Sequence, residues 1–178
     1  MDKVKTSHSL LHAYCIKPAY RFETQQADEQ IILMLRAHPI TQLPWILNSF
    51  FLFVLLVFLN FLFPQFFSTS QIIFLNLFGG TVIFSYIWFN ILSWFFNVGI
   101  ITNERIIDVD FHGVIYKEVT ETKLSKVEDV TTKSGGFIAS LFNYGNVFIQ
   151  TAGTELNIEF INIPKPSEAT KIINDLIT

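Results

Sequence analysis

The sequence has one cysteine, Cys15, in 178 residues. It therefore allows no intramolecular disulfide and no cysteine-based zinc ribbon. It also lacks a basic stripe: 12 Lys and Arg stand against 15 Asp and Glu, a formal net charge of −3. That balance argues against nucleic-acid binding. No glycine-rich phosphate loop, Ser/His/Asp set or acid pair in a defined context occurs, so the reading is of a non-enzyme with no cofactor. The most informative absence is local. Residues 37–103, 67 in a row, contain no Lys, Arg, Asp or Glu and hold 14 of the 20 Phe. A chain this short cannot enclose such a stretch in a soluble core.

What fills the gap reads as two membrane crossings. Residues 43–63 are nearly continuous Leu, Phe and Val, and residues 72–96 resume the pattern after an interruption by Pro64, Gln65, Ser68, Thr69, Ser70 and Gln71. Residues 45–63 alone would rise about 28 Å as a helix, close to the hydrocarbon thickness of a bilayer. So short a connection makes the helices antiparallel neighbours, a transmembrane hairpin over residues 43–96. Neither run has the polar face of a soluble core helix. The first 42 residues carry Lys3, Lys5, Lys17, Arg21 and Arg36 without an early apolar core, unlike a cleaved signal peptide. Arg36 and Arg105 flank the hairpin while its loop has no basic residue. The expectation is a multi-pass protein of the cell (inner) membrane with both termini in the cytoplasm. Trp45, Trp88 and Trp94 suit interfacial anchors on that side.

Polar residues within the spans are amides rather than charges. Asn60 and Asn76 fall at one depth of an antiparallel hairpin, and Asn48 and Asn90 at another, so cross-helix amide hydrogen bonds are expected of each pair unless the headgroups hydrate them. Gly79 and Gly80 would permit close backbone approach. With no ionisable group in the hydrocarbon, the hairpin reads as an anchor and not a conduit.

Outside the hairpin lie residues 1–42, with a candidate interfacial helix or added strand at 29–36, and a β-rich tail over 98–178. The tail shows short alternating runs between turns at Asn103-Glu104, His112-Gly113 and Asn143-Tyr144-Gly145. Its clearest strands are 146–151 and 156–161, and Ser167 caps a final helix bearing Ile172, Ile173, Leu176 and Ile177 on one face. The pattern predicts a small antiparallel barrel or sandwich whose open end the helix plugs.

From about Phe22 onward the chain resembles the bacterial pleckstrin-homology-like membrane proteins, the YdbS-like family. The likeness rests on the stretch from Glu29 through Arg36 to His38 before the first span, and on Ile101-Thr102-Asn103-Glu104-Arg105-Ile106-Ile107 after the second. It continues with Leu124-Ser125-Lys126-Val127-Glu128-Asp129-Val130, Leu141-Phe142-Asn143-Tyr144-Gly145-Asn146-Val147 and Thr151-Ala152-Gly153. Glu104 departs from it, since such proteins often carry Lys or Arg in that turn. The resemblance implies a seven-stranded, two-sheet barrel closed by a C-terminal helix, without enzyme activity. The fold class expected is therefore α + β: a transmembrane two-helix hairpin followed by a small pleckstrin-homology-like barrel.

Few residues suggest binding chemistry. Residues 98–178 carry 7 Lys and Arg against 11 Asp and Glu, a net of 7 − 11 = −4, which disfavours anionic headgroups. Lys123, Lys126 and Lys133 are interleaved with Glu121, Glu128 and Asp129. His8, His12 and Cys15 would share one helical face, but a fourth metal ligand is missing. The most suggestive surface is Phe137, Ile138, Leu141 and Phe142 behind Gly135-Gly136: it either covers a mouth of the barrel or contacts a partner or the membrane. The partners expected are thus the lipid bilayer and either another protein or a second copy of the chain. Scaffolding or assembly is the first functional reading, and lipid or small-ligand sensing by the barrel the second.

Overall fold

Prolines stand at both ends of the first long helix, Pro39 and Pro44 at its start and Pro64 just past its end. Pro39 opens a 3-10 turn over Pro39–Gln42, and α1 runs Leu43–Leu62 with Pro44 in its first turn, where the missing N–H leaves no bond unmade. The chain then tightens into a second 3-10 turn over Phe63–Gln65. The computed structural model that contains these elements describes residues 12–19, 21–112, 116–152 and 157–177. The second long helix, α2, spans Thr69–Phe96 and so starts earlier than the apolar run suggests. A capping box explains the early start: the Ser68 N–H donates to Gln71 Oε1 at 2.9 Å while the Ser68 side chain caps the first turn. Both helices are long and apolar enough to cross a membrane. Their outward side chains, among them Phe50, Phe61, Phe74 and Phe78, are exposed.

The helices pack as an antiparallel hairpin along a narrow seam. A Cβ placed on Gly79 would come within 2.9 Å of the Leu56 side chain, whereas one on Gly80 would meet nothing within 4 Å. Gly79 alone therefore serves the close approach expected of the pair.

Among the described residues, eight strands form two antiparallel sheets. The larger takes the order β1 (Tyr14–Ile16), β2 (Ile31–Leu35), β3 (Val98–Thr102), β4 (Arg105–His112) and β5 (Tyr116–Lys123). The smaller comprises β6 (Val127–Lys133), β7 (Tyr144–Thr151) and β8 (Ile158–Pro164). A short helix, α3 (Phe137–Phe142), links β6 to β7, and α4 (Pro166–Ile177) follows β8. The sheets face one another across a shared core. Leu33, Leu35, Ile101 and Ile106 meet Val147, Ile149, Ile158, Phe160 and Ile163, and α4 adds Ala169 and Ile173. A smaller cluster of Cys15, Ile31, Met34, Ile100 and Ile107 occupies the other face of the large sheet.

The barrel expected from the pattern is not closed. A 3-10 turn over Leu124–Lys126 separates β5 from β6, and among the described residues no ladder joins one sheet to the other. The apolar core closes the structure instead, with α4 lying against it.

The larger difference concerns β2. Met34 pairs with Ile100 and Leu35 with Gly99, so the segment ahead of the hairpin is an internal strand of the large sheet. Of the two readings open for residues 29–36, the structure has the added strand. With β1 and β2 added to the six strands of residues 98–164, the described residues hold eight strands and not the seven expected. The helical hairpin is thus an insertion between two neighbouring strands, and both of its ends are held by the same sheet.

Candidate functional site

The backbone crosses between hairpin and sheets twice, and side chains tie down each crossing. On the inward path the Arg36 guanidinium lies 4.8 Å from the centroid of the Phe95 ring. The Trp94 Nε1–H donates to the Ala37 carbonyl at 2.8 Å, joining the end of α2 to the chain just ahead of α1. The His38 N–H donates to the Asn162 carbonyl at 2.7 Å. Its ring stacks on Tyr144 with centroids 5.7 Å apart and lies 6.4 Å from Phe142. Burial pushes the His38 pKa down. The neutral imidazole suits its cap, in which Nδ1 accepts from the Ile40 N–H at 3.1 Å. On the outward path the Asn97 side-chain carbonyl accepts from the Phe111 N–H at 2.7 Å, and the Phe96 and Phe111 rings lie 5.1 Å apart.

Beside these crossings is a cleft of about 360 Å³, whose polar lining includes Arg36, Asn97, Asp108, Asp110, Glu159 and Asn162. Asp108 and Asp110 share the parity of the core residue Ile106 on β4, so they face the space between the sheets. Burial, and then the charges of Asp110 and Glu118, push the Asp108 carboxyl up to about 7. The cleft thus offers a guanidinium and a carboxyl that titrates near neutrality, a pairing suited to a polar ligand.

A second cavity, about 470 Å³, lies where β3 turns into β4, bordered by Gln26, Glu104, Arg105, Glu121, Thr122, Lys123 and Lys126. Its carboxylates offset its cations. Arg105 binds Glu29 through Nε at 3.0 Å and Glu121 through Nη1 at 2.6 Å. Lys133 is not part of this group: it sits at the far end of β6, with Nζ 4.6 Å from the Phe148 ring centroid.

Comparison with known proteins settles the family. The model of the bacterial PH (pleckstrin-homology) domain matches residues 40–177. The chain belongs to the bacterial PH domain family. No curated protein and no solved structure matches it. The match begins at the hairpin, after β1 and β2, although both strands belong to the large sheet.

Within the PH domain, the four apolar residues singled out on α3 do not plug the space between the sheets. Phe137 is 82% exposed, Ile138 57%, Leu141 65% and Phe142 43%. Only Ala139 of α3 is buried. The helix is held by its ends, with Gly136 at φ +91° before it and Asn143 at φ +51° closing it in the left-handed region.

The amides of the hairpin divide. Asn60 and Asn76 exchange side-chain hydrogen bonds of 2.9 and 2.7 Å, and each amide also donates to its own helix, at Leu56 and Ile72. Asn48 and Asn90 do not pair. Asn90 donates to the Tyr86 carbonyl at 2.8 Å. Asn48 is exposed, about 100° around the helix from the buried Ser49 that marks the α1 seam. Matching depth was not enough, because the seam is narrower than the helix.

Of the spaced set His8, His12 and Cys15, which already lacks a fourth ligand, His8 lies outside the described residues, and Cys15 is 1% exposed on β1 and not on a helix. Among the described residues no three His, Cys, Asp or Glu stand in a metal-holding arrangement.

Sequence reasoning missed the Glu29–Arg105 ion pair and the inward-facing Asp108. The first had a signal, an acid and a base on opposite sides of the charge-free run, but no rule of local spacing connects them. The second was present in the alternation of Ile106, Asp108 and Asp110, which puts acids on a core-facing parity.

Proposed function

We propose that this bacterial PH domain protein is a non-enzymatic membrane anchor and scaffold. The hairpin spans the cell membrane, both termini lie in the cytoplasm, and the PH domain is held against the inner face. The observation that carries the reading is the insertion: α1 and α2 leave and rejoin adjacent strands β2 and β3, with outward faces of Phe, Leu and Ile exposed. An apolar hairpin rooted at two points in one sheet would fix both the depth and the orientation of the domain. A domain confined in this way meets other membrane residents at raised effective concentration, which favours assembly with a protein partner or a second copy. The test is crosslinking of the full chain in native membranes, followed by purification and mass spectrometry. A discrete adduct, either a dimer or a defined partner, is expected. Recovery of monomer alone would contradict scaffolding.

Ligand sensing is the second reading, favoured by the cleft at the hairpin base, where Arg36, Asp108 and Asp110 line one space. Gentle extraction followed by lipid analysis separates the two readings. One selectively retained lipid or small molecule, lost on Asp108→Ala, would favour sensing.

A further inference from the structure

We propose that α3 is a second membrane contact: its exposed apolar face lies in the headgroup region of the leaflet that the base of the hairpin enters. The proposal rests on the reading that the hairpin spans a bilayer and adds where the PH domain touches it.

Three observations converge on this helix. Phe137, Ile138 and Leu141 are all more than half exposed, and Phe142 at 43% extends the same patch. That is a concentration of large apolar side chains a water-facing surface does not ordinarily carry. Its position is the second observation. The Phe142 ring lies 6.4 Å from His38, the residue just ahead of the 3-10 turn that leads into α1, and His38 is itself bound to β8 through Asn162. The patch is therefore continuous with the base of the hairpin. If α1 enters the bilayer, α3 reaches the interface beside it.

Charge supplies the third. Residues 134–154 contain no Lys, Arg, Asp or Glu, unlike the strands around them. A neutral apolar surface next to a membrane-entering helix matches the boundary between acyl chains and headgroups. It offers a protein partner no ionic group for specificity.

A six-residue helix would bind a bilayer weakly by itself. Here the hairpin makes that contact intramolecular, so a weak contact is still highly populated. The caps at Gly136 and Asn143 and the buried Ala139 present the face already ordered, and the hydrogen bond from the Lys165 N–H to the Asn143 carbonyl, 2.8 Å, ties its end to α4.

The test is depth-resolved quenching on the full chain, reconstituted in vesicles of phosphatidylethanolamine and phosphatidylglycerol. An environment-sensitive fluorophore is attached at Ile138→Cys, with Phe53→Cys as the within-span reference and Glu104→Cys as the aqueous one. Native Cys15 is 1% exposed and does not compete for label. Lipids spin-labelled near the headgroup should quench position 138 several-fold more than position 104, with blue-shifted emission at 138. If position 53 is quenched by lipids labelled deep in the chain but 138 behaves like 104, the proposal is wrong while the hairpin reading stands. If 138 is blue-shifted but unquenched, protein covers it, and a partner or second copy replaces the lipid. If position 53 is also unquenched, the hairpin reading fails and this proposal with it.

Discussion

Glu29 and Arg105 lie on opposite sides of the inserted hairpin, and their ion pair should be a principal clasp of the PH domain. Glu29 is 3% exposed. Its carboxylate accepts from Arg105 Nε at 3.0 Å and Nη2 at 3.1 Å, and from the Gln26 N–H at 3.0 Å. Glu29→Gln keeps the shape but leaves Arg105 facing a neutral amide. Breaking a buried pair costs about 3–5 kcal/mol when the remaining charge is stranded. Arg105 is not stranded, because Glu121 and the Thr24 carbonyl still accept from it at 2.6 and 2.7 Å. The loss should therefore fall nearer the value of charge-assisted hydrogen bonds, about 2–3 kcal/mol. Glu121→Gln removes the exposed partner and should cost under about 1 kcal/mol. Hydrogen–deuterium exchange of β3 and β4 in the full chain reads this difference. Exchange should accelerate about 30- to 140-fold in Glu29→Gln, since about 1.4 kcal/mol is tenfold. The pH dependence gives a second check. Burial alone would raise the Glu29 carboxyl, but its hydrogen bonds to Arg105, Gln26 and Thr102 outweigh that, and the net shift is downward from 4.5. The pair's contribution is then present above about 4.5 and lost as pH falls through the lower folded value. Equal exchange in Glu29→Gln and Glu121→Gln would refute the clasp.

Asp108 should show the opposite linkage: its folded pKa of about 7 lies above the ordinary 3.8, so stability falls as pH rises between those values. The slope is up to about 1.4 kcal/mol per pH unit, and Asp108→Asn should flatten it in thermal melts taken across that window. Asn60→Leu should weaken the hairpin by roughly 0.6–2 kcal/mol, while Asn48→Leu should be nearly silent, as measured by steric trapping or detergent unfolding. Gly99→Ala would drive its new methyl group into the Phe160 ring, costing about 1–3 kcal/mol. Much of that loss should return in the double variant with Phe160→Leu, which opens space at the contact; an additive loss would contradict the packing.

Local pattern carried much of this fold into view. Residues 127–133 are a β-rich run, Phe137 to Phe142 hold apolar positions at helical spacing, and a helix follows Pro166; each segment has the expected type in the structure, although the last helix opens at Pro166 and takes Ser167 into its first turn instead of at its cap. The hairpin was legible because charge is absent over so long a run. What escaped was long-range. The pairing of β2 with β3 joins Leu35 to Gly99 across the entire insertion, and no periodicity reports which distant strand is a partner. Barrel closure failed for a related reason, since strand count does not reveal that Leu124–Lys126 turns the chain away from the first sheet. At the candidate site the apolar face of α3 was visible, but its direction was not. Orientation depends on how the chain enters at Gly136 and leaves at Asn143, and in the structure Ala139 is buried while the larger side chains are exposed.

The central claim, a hairpin that crosses the membrane and holds the PH domain inside, is most directly tested by cysteine accessibility in intact cells. Gln65→Cys lies in the turn between α1 and α2, and Glu104→Cys in the turn between β3 and β4; both positions are exposed. A membrane-impermeant maleimide should label position 65 in intact cells and position 104 only after permeabilisation. Labelling of position 104 in intact cells, or of neither position until the membrane is opened, would contradict the account.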